Sequence, residues 1–278
     1  MIRQLLAIDD WQKIPPLLGD ARSNVVINGV LSGINLGKIF VDRAEAPKAA
    51  LIWAQNEMFY LVGSYDEAFY EEVEALIVNT IKPEALRLGE DCFNLEVYSS
   101  EEAHSFVTRR FSNRLIRGER VPFIFDPRTF AANHSSVEVE IPGGYTVMEM
   151  DQSVIAGDAE RIMAAEILKF WASVEGFLEK GFGFCVMKDG EVIGTCLSVY
   201  VGGLEYEIGI NTYGVMHRGK GLATAMAAAF IRKCLWIGGT PHWTTEHFRK
   251  DSIAIARKLG FKQLPNYPVY YLSFQEFH

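Results

Sequence analysis

The sequence predicts an α/β (α+β) protein in which a mixed, mainly antiparallel sheet flanked by helices follows a smaller, divergent α/β lobe. Three observations carry that expectation. Short apolar runs alternate with longer stretches whose apolar residues recur every three or four positions. Two apolar runs, Phe182–Met187 and Val192–Tyr200, flank the turn signal Asp189-Gly190 and read as a hairpin. A strand of alternating polarity, Leu204–Ile210, leads through a glycine-punctuated turn into a helix of small residues.

The elements follow in order. Ile39–Val41, Ala50–Trp53 and Phe59–Val62 read as short strands bounded by polar residues, Gly or Pro. Glu67 to about Leu88 has helical spacing at Phe69, Val73, Leu76 and Ile77, with Asp66 as N-cap and Pro83 as its end or kink. Phe93–Tyr98 alternates like a strand, Ser100-Glu101-Glu102 opens a helix, and Pro122–Phe125 is a further strand. Asp126–Ser136, with Pro127, Asn133 and Ser135, reads as the linker. Beyond the Pro142-Gly143-Gly144 break come a strand from Tyr145, a helix over Ala159–Leu178, the hairpin, and the strand in which Glu205 and Glu207 share a face. A helix over Leu222–Trp236, a strand at Trp243–Thr245, a helix over Ser252–Leu259 and a strand over Val269–Phe274 complete the chain. Asp251 or Ser252 suits the cap of the last helix, and Gly260 the left-handed position after it.

Length and composition narrow the function. At roughly 100–200 residues per domain, 278 residues suggest two domains or one large one. We divide them as an acidic lobe over 1–140 and a catalytic domain over 141–278. Hydrophobic residues at 49% and charged residues at 22% exclude a disordered chain. No apolar run approaches the ~20 residues of a bilayer span, and Asp9-Asp10 comes too early for a signal-peptide core. A cytoplasmic protein that does not engage membranes is expected. The net charge of −8 disfavours a nucleic-acid partner. Residues 1–140 hold 14 Lys+Arg against 21 Asp+Glu, a net of −7, and residues 141–278 hold 13 against 14, a net of −1. The acidic half favours a cationic substrate, or simply keeps the chain soluble. Cys92, Cys185, Cys196 and Cys234 are widely spaced, and neither they nor the histidines show metal-ligand spacing.

The chemistry concentrates in Glu207–Ala225. Gly219 and Gly221 allow positive φ and clear side chains from the turn, so backbone N–H groups can converge on an anion. The following helix adds its N-terminal donors, and Arg218 and Lys220 add charge. The same residues also suit a tight, basic strand–helix connection. As a P-loop the segment fails, because Gly221 stands where the metal-binding hydroxyl is required. As a dinucleotide fingerprint it lacks the acidic residue about 20 positions on, where Pro241 lies.

Arg218-Gly219-Lys220-Gly221-Leu222-Ala223 matches [QR]-x-x-G-x-[GA] and resembles the acetyl-CoA pyrophosphate motif of the GNAT superfamily of N-acyltransferases. The hairpin, the strand Glu207–Asn211 and the Leu259-Gly260-Phe261 ending of the last helix come in that family's order, so roughly residues 141–278 share the resemblance. Phe170-Trp171, Pro241-His242-Trp243 and Ala256-Arg257-Lys258-Leu259-Gly260-Phe261 look most like the zwittermicin-resistance-type members. The first half resembles a GNAT lobe that has lost its motif, since Gly63-Ser64-Tyr65-Asp66 has neither paired glycines nor basic residues.

The resemblance implies acetyl-CoA as co-substrate and no metal. Asn211, Thr212 and Tyr213 would pair with the pantetheine amides at a splayed strand, with backbone donors near Tyr213 polarising the thioester. Gly219, Lys220, Gly221, Leu222, Ala223 and Thr224 would surround the pyrophosphate, with Arg218 fixing the turn. Arg249 and Ala256 depart from the family pattern, which often has Asn and a thiolate-protonating Tyr there. Glu207 lies 11 residues before Arg218, the offset of the base glutamate in histone-type members, and a carboxylate on a half-buried strand suits a base working near neutrality. Glu246 is the runner-up, and Glu205 and Glu207 read equally well as solvent-facing. His217, His247, Tyr267, Tyr270 and Tyr271 are further titratable candidates. The expected activity is acetyl transfer to a primary amine of a small molecule, antibiotics included. The alternative is a non-enzymatic acyl-CoA-binding protein.

Overall fold

The computed structural model describes residues 3–5, 8–64, 67–98, 107, 109, 111, 114–134 and 139–278. Asp66, the helix start at Ser100-Glu101-Glu102 and the linker's end at Ser135-Ser136 lie outside the described residues. The chain forms two compact units, Met1–Glu119 with Tyr267–His278, and Arg120–Asn266. The boundary expected after residue 140 lies instead after Glu119, and the closing segment belongs to the first unit. Pro142-Gly143-Gly144 is a turn within the second unit, with Gly144 at φ 86° leading directly into a strand.

In the first unit, β1 (Arg3–Leu5), β2 (Gly37–Val41), β3 (Ala49–Ala54) and β4 (Met58–Gly63) pair antiparallel in sequence order. β5 (Cys92–Tyr98) then pairs parallel to β4, and the chain's last strand, Tyr267–Ser273, pairs antiparallel to β5. A parallel pair needs a crossover. Here it is α3 (Glu67–Leu76), a π turn (Ile77–Ile81) and α4 (Lys82–Arg87), following α1 (Ile8–Trp11) and α2 (Val25–Leu31) earlier in the chain. Pro83 neither ends nor breaks this run. It falls in the first turn of α4, where its missing N–H costs little, and the π turn absorbs the change of register just before it.

All six residues of β3 are buried, so both sheet faces are covered. Leu51 and Trp53 join Phe59, Phe93 and the crossover's Phe69 and Val73 in one core cluster. Ala50 and Ile52 alternate to the other face, where α2 packs. Asn24 caps α2, its Oδ1 accepting the Ile27 N–H at 3.0 Å.

The second unit contains β6 (from Ile116–Phe125), α5 (Pro127–His134), β7 (Tyr145–Glu149), α6 (Gln152–Gly157), α7 (Ile162–Leu168) and α8 (Val174–Lys180). It continues with β8 (Gly183–Lys188), β9 (Glu191–Gly202), β10 (Glu205–Thr212), α9 (Leu222–Trp236), β11 (Thr240–Glu246), α10 (Lys250–Lys258) and β12 (Phe261–Gln263). β7 to β10 pair antiparallel in order; β11 runs parallel to β10 and antiparallel to β6, which also pairs β12. The fold is therefore mixed and mainly antiparallel, as the sequence predicts.

The hairpin turn has φ 52° at Asp189 and 85° at Gly190, the positive pair a type I′ turn requires. Three local expectations need correction. The linker from Asp126 is helical over Pro127–His134: Asp126 accepts the Arg128 N–H (3.0 Å) and Thr129 hydroxyl (2.9 Å), and Pro127 occupies the first turn. The single helix over Ala159–Leu178 is two, because Ser173 starts α8 as a fresh N-cap on Gly176 N–H. Neither Asp251 nor Ser252 caps α10; Arg249 holds that position without a side-chain bond, and Ser252 is buried inside the helix. Gly260 does take the left-handed conformation, at φ 86°. Among the described residues no helix is long and apolar enough to cross a membrane, and no three His, Cys, Asp or Glu gather as metal ligands.

Candidate active site

The site begins where β10 and β11 part. Their parallel pairing covers Glu205–Glu207 against Thr240–His242. From Trp243 to Glu246, β11 is instead in register with β6, while Ile208–Thr212 stays on β9. The separation therefore starts at Ile208, earlier than the Asn211–Tyr213 expected. A bulge contributes: Glu207 opposes Tyr200 and Ile208 opposes Ser198, leaving Val199 as the extra residue. Bulges increase local twist. Gly209 permits this one, because a Cβ there would collide with Val199 Cγ1.

β10 continues into Gly214 at φ 70°, a short turn over Val215–His217, and Gly219 and Gly221 at φ 72° and 79°. Gly221 is the N-cap of α9, so the helix's first N–H groups carry no side-chain cap. α9 is held in place by its apolar body, with Phe230 stacked on Phe182 at 4.4 Å and Met226, Ala227 and Ile231 fully buried.

The end of β10, the turn, the start of α9 and the first turns of α10 enclose a cleft of about 640 Å³. Of the residues expected to hold a cofactor, Asn211, Thr212, Arg218, Gly219, Gly221, Leu222, Ala223 and Thr224 line it. Tyr213 and Lys220 do not. The Tyr213 hydroxyl pairs with Thr195 Oγ1 at 2.8 Å, and its N–H donates to Ile193 O at 2.8 Å, so this N–H is spent on β9 and cannot polarise a thioester. Burial pushes the phenol's pKa well above its ordinary value. Lys220 is exposed, with its ammonium 5.8 Å from the Tyr145 ring centre.

Several residues outside the expected cofactor set also line the cleft; the sequence singles out His217 and Arg249, but not Asp251, Ser252 and Ile255 as site residues. Arg249, Asp251, Ser252 and Ile255 enter from α10, and His217 from the turn. The available signal was topological: when two strands run parallel, the loops after both open onto one crevice. His217 Nδ1 lies 2.8 Å from the Tyr145 hydroxyl, which fixes the ring at the cleft wall. His247 is exposed, 3.4 Å from Lys250 Nζ. In the first unit, Tyr267 donates to Glu96 at 2.9 Å, Tyr270 is buried and Tyr271 is partly exposed.

The carboxylates separate by environment. Glu207 is 6% exposed and its Oε1 accepts the Thr244 N–H at 3.1 Å across the parting strands. Glu205 pairs with the His242 ring. Glu246 faces the buried Arg120 guanidinium at 3.3 Å, and neither it nor Glu207 lines the cleft itself. Glu207 is thus the carboxylate placed at the point of divergence, and it is not solvent-facing.

This strand parting, closed by a glycine turn on a helix N-terminus, matches a known class. A GNAT acetyltransferase family model matches residues 15–270, and the chain belongs to that family. The match takes in the first unit as well, well beyond the residues 141–278 that carry the motif resemblance. The chain is 24% identical over 272 residues to Uncharacterized N-acetyltransferase YdfB of Bacillus subtilis (strain 168), covering 97% of this chain and 98% of that protein. A GCN5-related N-acetyltransferase-like protein from Streptococcus suis 89/1591 superposes with a TM-score of 0.70 at 20% identity, over 94% of this chain and 98% of its own. A tandem GNAT protein from the clavulanic acid biosynthesis pathway gives 0.58 at 13% identity, over 99% of both chains.

Proposed function

We propose that this protein transfers an acetyl group from acetyl-CoA to a primary amine of a small molecule. The observation that carries the reading is the cleft itself, where the parted β10, two left-handed glycines and an uncapped α9 N-terminus converge beside Arg218. That donor set fits a pyrophosphate, because helix dipole, backbone N–H groups and guanidinium all favour negative charge. Acetyl-CoA, when bound, supplies the activated carbonyl. Ile208–Thr212, no longer in register with β11, lends backbone groups along the pantetheine path in place of Tyr213. Glu207, fixed by Thr244, takes the amine proton directly or through a water as nitrogen attacks. Antibiotic amines lead the acceptors to screen, on the resemblance to zwittermicin-resistance-type members. The described cysteines are free thiols, which fits a reducing compartment such as the cytoplasm.

The test is thermal unfolding with acetyl-CoA, ATP–Mg²⁺ or NADH. A ligand at 100 times its Kd adds about 2.7 kcal/mol, so acetyl-CoA alone should raise Tm by several degrees, and amine screening should then release thiol. No shift at millimolar acetyl-CoA contradicts the proposal. A second reading, an acyl-CoA-binding protein without turnover, draws on Ala256, which is fully buried and offers no proton. It predicts the Tm shift without thiol release from any amine.

A further inference from the structure

Two successive residues of β11 reach toward the site. Thr244 donates its N–H to Glu207, and Trp243 donates its indole N–H to Ser252 Oγ at 3.0 Å. Ser252 sits on α10, is 7% exposed, and lines the cleft. A serine hydroxyl accepts through two lone pairs and donates one hydrogen. The indole occupies a lone pair and leaves the hydrogen unspent. Among the described residues the Ser252 hydroxyl has no acceptor for that hydrogen, and the open side of the residue is the cleft.

Resting on the acetyl-CoA reading above, we infer that Ser252 donates a hydrogen bond to the sulfur that leaves the thioester. The cleft has a polarity of depth. Arg218, Gly219 and Arg249 are exposed and form its mouth, whereas Ser252 is buried. A pyrophosphate held at the mouth directs the thioester end inward, toward Ser252 and the parting of β10 from β11 that begins after Glu207. In the reaction the amine nitrogen bonds to the carbonyl carbon, the carbon–sulfur bond breaks, and the amine proton passes to Glu207. The sulfur departs as a thiolate. A thiol's ordinary pKa, about 8.5, makes that anion a competent leaving group, and an alcohol is too weak an acid to protonate it outright. Ser252 therefore keeps its proton and stabilises the developing charge through a charge-assisted hydrogen bond. The thiolate takes its proton from water after release, and Glu207 returns its own to solvent.

The test needs no acceptor amine. The thiol of bound CoA is titrated by thiolate difference absorbance against S-methyl-CoA, in the wild type, in Ser252→Ala and in Trp243→Phe. Glu207, His217, Arg218, Arg249 and Asp251 are common to all three, so their fields cancel in the comparison. The bound thiol should titrate about one pH unit higher in Ser252→Ala than in the wild type, a tenfold loss of thiolate. Trp243→Phe, which frees the hydroxyl to rotate, should fall between them. If Ser252→Ala fails to fold because the indole N–H is orphaned, the double variant Trp243→Phe/Ser252→Ala removes both polar partners and should show the full shift. CoA bound equally with identical titration in every variant overturns the role of Ser252 and leaves the cofactor reading standing. Failure of CoA to bind the wild type overturns both.

Discussion

The two units follow one strand order and differ at one place. Each has four antiparallel strands, a helical crossover and a fifth strand parallel to the fourth. In the first unit the parallel pairing runs through Val62 and Tyr98, the last residue of β5. In the second it stops at Glu207 and His242, with Ile208–Thr212 and Trp243–Glu246 still to come. β4 reads Met58-Phe59-Tyr60-Leu61-Val62-Gly63, whereas β10 carries Glu205, Glu207, Asn211 and Thr212. The first unit's hollow at these strand ends, about 740 Å³, is lined by Asp20 and the buried Glu96, with no Lys or Arg among the described residues. It is a poor host for a pyrophosphate. The same topology thus becomes a candidate anion site only where the strands part and the turn beyond them is glycine-rich and basic.

The largest effect should come from the polar residue that distinguishes β10. Glu207→Gln keeps the acceptor for Thr244 N–H and removes the base, so turnover should fall by roughly 10²–10⁴ with acetyl-CoA affinity unchanged. Steady-state kinetics beside calorimetry reads both, and full turnover in the variant would remove Glu207 from its role. Next come the glycines, which serve different ends in the two units. Gly63, at φ 91°, has no room for a Cβ, which would collide with the Lys48 carbonyl. Gly63→Val should cost about 3 kcal/mol or more in denaturant unfolding, through strain and overpacking together.

Gly219, at φ 72°, has nothing within 4 Å of that position. Gly219→Val should cost only about 1–2 kcal/mol of stability and weaken acetyl-CoA at least tenfold, because the added side chain occupies ligand space. Equal affinity would mean that the turn is merely a connection. The smallest effect concerns the thiols. Burial pushes Cys185 up to about 11 and Cys234 to about 12, while Cys92 in the first unit is half-buried. At pH 8 a thiol reagent should label Cys92 first. Because Cys185 and Cys234, like the fully buried Cys196, are held neutral, the stability these thiols contribute is complete below pH ~8.5 and is lost as pH climbs through about 11 and beyond. Denaturation at pH 8 and at pH 10.5 checks the sign.

Much of the architecture was legible locally. α9 spans the residues expected, and Asp189-Gly190 forms its turn, because both depend on neighbours in sequence. The errors share a cause. Asp126-Pro127 reads as a linker until Asp126 is seen capping a helix. Ser252 reads as a cap until Trp243, nine positions earlier, claims its oxygen. The parting of β10 and β11 is non-local as well, set by the Val199 bulge on β9 and by the register of β11 with β6. Lys220 has the charge a phosphate site wants, but its ammonium lies over the Tyr145 ring and the residue does not line the cleft.

The most direct measurement is isothermal titration of acetyl-CoA into the wild-type chain. One molecule per chain, with affinity cut at least tenfold in Gly219→Val and unchanged in Glu207→Gln, is the predicted result. Two molecules per chain, or heat that persists unchanged in Gly219→Val, would contradict the claim that only the second unit carries the site.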